Sequence, residues 1–143
     1  MLNDNLLVIQ ADLVRGIGEL RMEGEFVAET RYEPERVLRE WVEQGVRRAI
    51  VHCDKVRRID SAGSSVLLGA LHRFRRLGGD LILVRLNLDL NEFFEVTSMR
   101  QYFKIFETPE EARHYCASAV ERAVPKAVVK KKRGRRPAAA KES

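Results

Sequence analysis

One serine in this chain stands where a hydroxyl can do chemistry. The stretch Arg58-Ile59-Asp60-Ser61-Ala62-Gly63-Ser64-Ser65-Val66-Leu67-Leu68 passes from an apolar strand-like run through a tight polar turn into a helix-patterned segment closed by Gly78-Gly79. The residues after Ser61, Ala62 and Gly63, are too small to shield it. The first amides of a new helix point outward without intrahelical partners, and with the helix dipole they favour an anion. A phosphate carried on Ser61 would therefore be tolerated there. Two uses of the hydroxyl fit these residue types: a regulatory phosphoacceptor, or a helix-start residue that satisfies a backbone amide. Asp60 either caps the helix or positions the serine, and Ser64 and Ser65 are expected to be structural.

Other chemistries find little support. His52, His72 and His114 are far apart, and none sits beside a credible nucleophile or second ligand. Cys53 and Cys116 lie in apolar contexts, with no CxxC partner and no zinc-ligand spacing, and read as buried, inert thiols. Gly78-Gly79 lacks the following helix and lysine of a phosphate-binding loop. The expectation is a binding protein that is not an enzyme and holds no metal and no cofactor.

The elements that must position Ser61 follow from periodicity. Asn5 to Gln10 reads as a short strand, and Ile17 to Phe26 alternates apolar or small with charged residues, as a half-buried strand does. A turn near Val14-Arg15-Gly16 joins them. Next comes a helix with Pro34 in its first turn, Val37, Leu38, Trp41 and Val42 on one face, and Gly45 at its end. Arg48 to Cys53 is a compact strand, and Asp54 to Arg58 is expected as a turn leading to Ser61. Val66, Leu67, Leu71 and Phe74 make the stripe of the following helix. Asp80 to Leu86 suits a strand buried on both faces. A short helix over Leu90 to Val96 and a last strand over Tyr102 to Phe106 follow. Thr108-Pro109-Glu110-Glu111 opens a final helix: a capping threonine, a proline at the first position and acids in the first turn. Two strands followed by alternating helices and strands predict an α/β fold, a mixed β-sheet with helices packed against it.

With 143 residues the chain can bury one core, not two large ones. Its net charge of +5 is unevenly spread: residues 122–143 carry nine basic side chains against one acid, and the remainder is net −3. The expected division is a domain over 1–121 and a disordered basic tail over 122–143. In that tail, Arg133-Gly134-Arg135-Arg136-Pro137 resembles the minor-groove AT-hook core Arg-Gly-Arg-Pro with one extra arginine. Lys130, Lys131, Lys132, Arg133, Arg135 and Arg136 are thus candidate nucleic-acid contacts, salt-dependent and largely sequence-blind. The same charge also suits a solubilising extension, an acidic membrane or an acidic protein. No apolar run approaches a membrane span and the amino terminus lacks the basic start of a secretory signal, so a cytoplasmic protein without membrane insertion is expected.

Taken in order, Ile59-Asp60-Ser61-Ala62-Gly63, the helix ending Arg76-Leu77-Gly78-Gly79, then Leu81-Ile82-Leu83-Val84, Leu90 to Met99, Phe103 to Phe106 and Thr108 to Ala112 form a specific series. It resembles the STAS domain, the family of bacterial anti-sigma factor antagonists and related modules. Upstream, Gly24-Glu25-Phe26 looks like the family's Gly-Glu-Leu at the end of its second strand, so the resemblance spans about residues 5–121. It implies a partner switch: the unphosphorylated protein docks on an anti-sigma factor that is a serine kinase, and phosphorylation of the serine after the motif aspartate, here Ser61, prevents docking. The resemblance places the partner-binding surface on Asp60, Ser61, Ala62, Gly63 and Ser64. Val27 stands where kinase-regulated members carry a polar residue, and Gly63-Ser64-Ser65 stands in place of Gly-Leu-Gly. Two further roles fit the residues: an adaptor subunit of a transporter or stress-signalling assembly without phosphorylation, and a chromosome-associated protein acting through its tail.

Overall fold

A computed structural model describes residues 6–128. Residues up to Ala112 form an α/β unit, and from Arg113 the chain belongs to a second unit. The elements run β1 (Leu7–Val14), β2 (Ile17–Phe26), a 3-10 turn (Ala28–Thr30), α1 (Tyr32–Glu43), β3 (Arg48–Ile59) and α2 (Ser61–Arg76). They continue with β4 (Asp80–Val84), α3 (Leu88–Val96), a second 3-10 turn (Met99–Tyr102), β5 (Lys104–Phe106) and α4 (Pro109–Val128). The five strands make one mixed sheet in the order β1-β2-β3-β4-β5. Only β1 and β2 pair antiparallel; the other pairings are parallel and joined through α1, α2 and α3. The expected α/β architecture is the one found.

The hairpin turn is Arg15-Gly16, with φ of 54° and 80°. Two successive positive φ values define the tight turn whose twist matches paired strands, and glycine adopts it without strain. On one face of the sheet, Leu20, Met22 and Phe26 of β2, Val51 and Cys53 of β3, and Leu81 and Leu83 of β4 join a single core. Val37, Leu38 and Trp41 of α1 and Leu67, Leu71 and Phe74 of α2 fill it from above. Each fully buried phenylalanine or leucine contributes about 1.5–3 kcal/mol relative to exposure. Trp41 is therefore a packing residue, as its place on the apolar stripe predicts. Leu81 to Val84 are all fully buried, the burial on both faces expected of β4.

The largest departure from expectation is β3. Asp54 to Arg58, predicted as a turn, continues the strand to Ile59. Its register against β2 slips twice: Arg21 faces His52 but Glu23 faces Lys55, and Gly24 faces Val56 but Glu25 faces Arg58. Each slip adds one residue to β3, which hides the period-2 pattern while Val56 and Ile59 still reach the core. β1 extends to Val14 instead of stopping at Gln10, because it pairs with β2 down to the turn. β4 stops at Val84, where Arg85 takes a φ of 60°. β5 starts at Lys104, since Tyr102 ends the second 3-10 turn. Thr108 caps α4 as predicted, its Oγ1 accepting the Glu111 N–H at 3.2 Å. α4 runs past the expected boundary at residue 121 to Val128.

The alternation in β2 also misleads at one position. Glu19, predicted to face solvent, is 2% exposed. Its Oε1 lies 3.0 Å from His52 Nε2 on the neighbouring strand and 3.3 Å from Arg21 Nη2. A carboxylate is buried at tolerable cost only when paired in this way.

Candidate functional site

Ser61 sits where β3 ends and α2 begins, beside the end of β2. Ile59 is in register with Phe26, and the Asp60 N–H donates to the Phe26 carbonyl at 3.4 Å. Asp60 is extended (φ −117°, ψ −173°), the geometry of a helix cap. One carboxylate oxygen accepts the Gly63 N–H at 3.0 Å and the other accepts the Ala28 N–H at 3.1 Å. Of the two roles open to Asp60, capping is the one its hydrogen bonds fulfil. The second bond also anchors the 3-10 turn to the start of α2.

Ser61 is the first residue of α2 and is exposed. Its carbonyl accepts the Ser64 hydroxyl at 3.1 Å, while its own hydroxyl makes no hydrogen bond among the described residues. The amide that a helix-start serine would satisfy is already bonded to Asp60. Ala62 is half-buried, and Gly63 and Ser64 are buried, so of the five residues assigned to partner binding the surface presents Ser61 with parts of Asp60 and Ala62. Gly63 is needed for close approach, because a Cβ there would run into the Phe26 carbonyl. Ser64 is buried with its hydroxyl spent on the Ser61 carbonyl, and Ser65 is exposed. Val27 is fully buried; its N–H donates to Thr30 Oγ1 at 3.0 Å, and that hydroxyl donates to the Glu25 carbonyl at 2.6 Å.

Beside this junction lies a feature that reading the sequence missed. A cavity of about 290 Å³ is lined by Arg57, Arg58, Ile59, Asp89, Leu90 and Phe93. Asn87 ties the helix start beside it to β3: its side chain caps α3 by accepting the Leu90 N–H at 3.0 Å and donates to the Val56 carbonyl at 2.6 Å. Arg58 Nη1 meets Glu25 Oε1 at 3.3 Å on the rim. The only signal was local, an Asn two residues before an acidic helix start, and nothing in it tied that helix to Arg57 thirty residues earlier.

The remaining candidates are distributed as follows. His52 is buried against Glu19, and His72 and His114 are exposed on separate helices. No cluster of three metal-ligating side chains occurs among the described residues. Cys53 and Cys116 are both buried, and neither is in a disulfide. Burial, then the neighbouring Asp54 carboxylate, pushes the Cys53 thiol up to about 12. Among the described residues no helix is long and apolar enough to cross a membrane. Lys130, Lys131, Lys132, Arg133, Arg135 and Arg136 lie outside the described residues.

Known structures share this architecture. An anti-sigma factor antagonist from Mycobacterium paratuberculosis superposes with a TM-score of 0.72 at 14% identity, over 82% of this chain and 99% of that one. The Bacillus cell fate determinant SpoIIAA in its phosphorylated form gives 0.62 at 19% identity, over 76% and 98%. A sulfate transporter family protein from Wolinella succinogenes gives 0.63 at 16% identity, over 77% and 92%. No curated protein sequence matches the chain. The STAS domain family model matches residues 8–112, from the first strand through Thr108-Pro109 and the first turn of α4. That span takes in the sheet from Val8 onward and the Asp60-Ser61 junction, and the chain belongs to the STAS domain family.

Proposed function

We propose that this chain is a cytoplasmic, non-enzymatic regulatory protein of the anti-sigma factor antagonist kind, whose docking on a serine kinase of the anti-sigma class is controlled by phosphorylation of Ser61. The observation that carries the reading is the free Ser61 hydroxyl on an exposed helix start whose cap is already supplied by Asp60. A phosphoryl group there adds about −1.5 to −2 charges. The amino-terminal end of α2 accommodates them. A partner surface built against a neutral hydroxyl meets repulsion and an uncompensated polar burial. The solved structure of phosphorylated SpoIIAA, on the same fold, agrees with this use of it.

The test is incubation with such a kinase and ATP. One phosphate should be incorporated, Ser61→Ala should abolish it, and Ser61→Asp should weaken partner binding. Labelling that survives in Ser61→Ala sinks the assignment and moves attention to the exposed Ser65.

A second reading draws on Val27. The position that carries a polar group in kinase-regulated relatives is here a fully buried valine. That favours an adaptor of constant affinity, a role compatible with the likeness to a transporter-family structure. Equal partner affinity of wild type and Ser61→Asp would select it.

A further inference from the structure

The end of the sheet away from Ser61 carries a different charge. β2, β3 and β4 all begin there: Ile17 is in register with Arg48, and Arg48 with Asp80. Arg15 lies in the hairpin turn that leads into β2, and Arg47 and Arg48 lead into β3. α2 ends in Arg73, Arg75 and Arg76. The pieces are held together by backbone and side chain, with Asp80 N–H donating to the Arg47 carbonyl at 3.0 Å and Arg75 Nε to Asp80 Oδ1 at 3.1 Å. Six arginines thus gather at this end of the domain, and among the described residues the one carboxylate paired with any of them is Asp80.

Only Arg75 spends its charge internally. Arg15, Arg47, Arg48, Arg73 and Arg76 make no side-chain hydrogen bond or ion pair among the described residues. The dipole of α2 accounts for cations in its own last turn, but not for Arg15, Arg47 and Arg48, which lie on other elements. This concentration occurs in a part of the chain, residues 1–121, that is net −3. The charge is segregated, not averaged.

We infer that this end of the domain binds the phosphodiester backbone of double-stranded nucleic acid. Three neighbouring strand starts span roughly 10 Å at about 4.8 Å per strand. Each strand of a duplex carries one phosphate per about 3.4 Å of axis, so a row of this length faces more than one phosphate of the same duplex. Guanidinium groups pair with phosphate in two-pronged fashion, which suits a cluster of arginines without a lysine. An anionic membrane is the rival occupant: Leu13, Val14 and Leu77 are exposed at this end, but they lie at a strand end and after a helix, not on one amphipathic helix face, and the exposed aromatics Tyr32 and Tyr102 lie on other elements. α2 places Arg76 about 22 Å from Ser61, taking about 1.5 Å per helical residue, so a partner at the helix start and a duplex at this end sit at opposite ends of α2.

The experiment is fluorescence anisotropy of a labelled duplex of about 20 base pairs with the full chain, over about 50 to 200 mM salt. Replacing Arg15, Arg47 and Arg76 together by glutamine removes three charges from exposed positions. It should weaken binding about tenfold to a hundredfold and make the log–log salt dependence less steep by about 2 to 3, with an unchanged thermal midpoint. The matching triple lysine variant should keep the wild-type slope, and Ser61→Asp should bind the duplex as wild type does. Wild-type affinity and slope in the triple glutamine variant would overturn the proposal and assign binding to residues 130–136. No duplex binding by the wild type would overturn it too, as would retention on phosphatidylglycerol vesicles that the duplex fails to displace.

Discussion

Asp60 Oδ2 accepts the backbone N–H of Ala28 at 3.1 Å, so the residue that caps α2 also fixes the turn following β2, 32 residues away. Two segments that meet only in the folded state are tied by one carboxylate. Asp60→Ala should cost about 2 kcal/mol, a lost cap together with a second orphaned amide. Urea unfolding measures it; a loss under about 0.5 kcal/mol would mean that the tether carries no stability. Asp60→Asn, which keeps both acceptor and shape in part, should lie between.

The α2 start tolerates almost no added volume. Gly63→Ala pushes a methyl group into the Phe26 carbonyl, so the helix must lift from the end of β2. The expected cost is about 2 kcal/mol, read from the denaturant midpoint, and Ser61→Ala should leave that midpoint within about 0.5 kcal/mol of wild type. The contrast separates a packing position from an accessible one two residues away.

Glu19 and His52 form a buried pair on the sheet face opposite the α1–α2 core. Removing one partner by His52→Ala should destabilise the domain by about 3 kcal/mol, because a carboxylate is then left buried with less compensation. Replacing both by leucine should recover most of the loss. A double variant as unstable as the single one would show that the pair is needed for more than its own neutralisation.

Cys53 provides a pH prediction. Its thiol is raised from 9.0 to about 12 in the folded protein, first by burial and then by Asp54. The folded state therefore holds the proton more tightly than the unfolded chain. This contribution to stability is complete below pH 9 and is lost progressively as pH rises toward 12. A disulfide-exchange reagent at pH 8 should titrate no thiol in the native protein and two in denaturant, given that both cysteines are buried. Rapid labelling of a native thiol would contradict the burial of that cysteine.

Much of this arrangement is legible in the chain because it is local. The bounds of β2, the stripe of α1, the cap of α4 and the strand-to-helix serine all follow from residue type and spacing over a few positions. What escaped depends on distant partners. β3 loses its alternation where two extra residues slip its register against β2, a property of the pair and not of either strand. Glu19 reads as solvent-facing because nothing near it announces His52, 33 residues on. The cap at Asp60 and the exposure of Ser61 were both accessible to reasoning, but the choice between capping and positioning needed the position of Ala28. The cavity beside Arg57 and Phe93 joins a strand end to a helix start that only the fold brings together.

The Arg15-Gly16 turn bears on the order in which the molecule assembles. A hairpin closed by two residues forms in about 1–10 μs, whereas each parallel pairing must wait for an intervening helix to bridge its strands. β1 and β2 can therefore zip into register first and offer β3 a ready edge, with β4 and β5 added outward in turn. Strain placed at that two-residue corner would fall mainly on the refolding rate and leave the unfolding rate nearly unchanged.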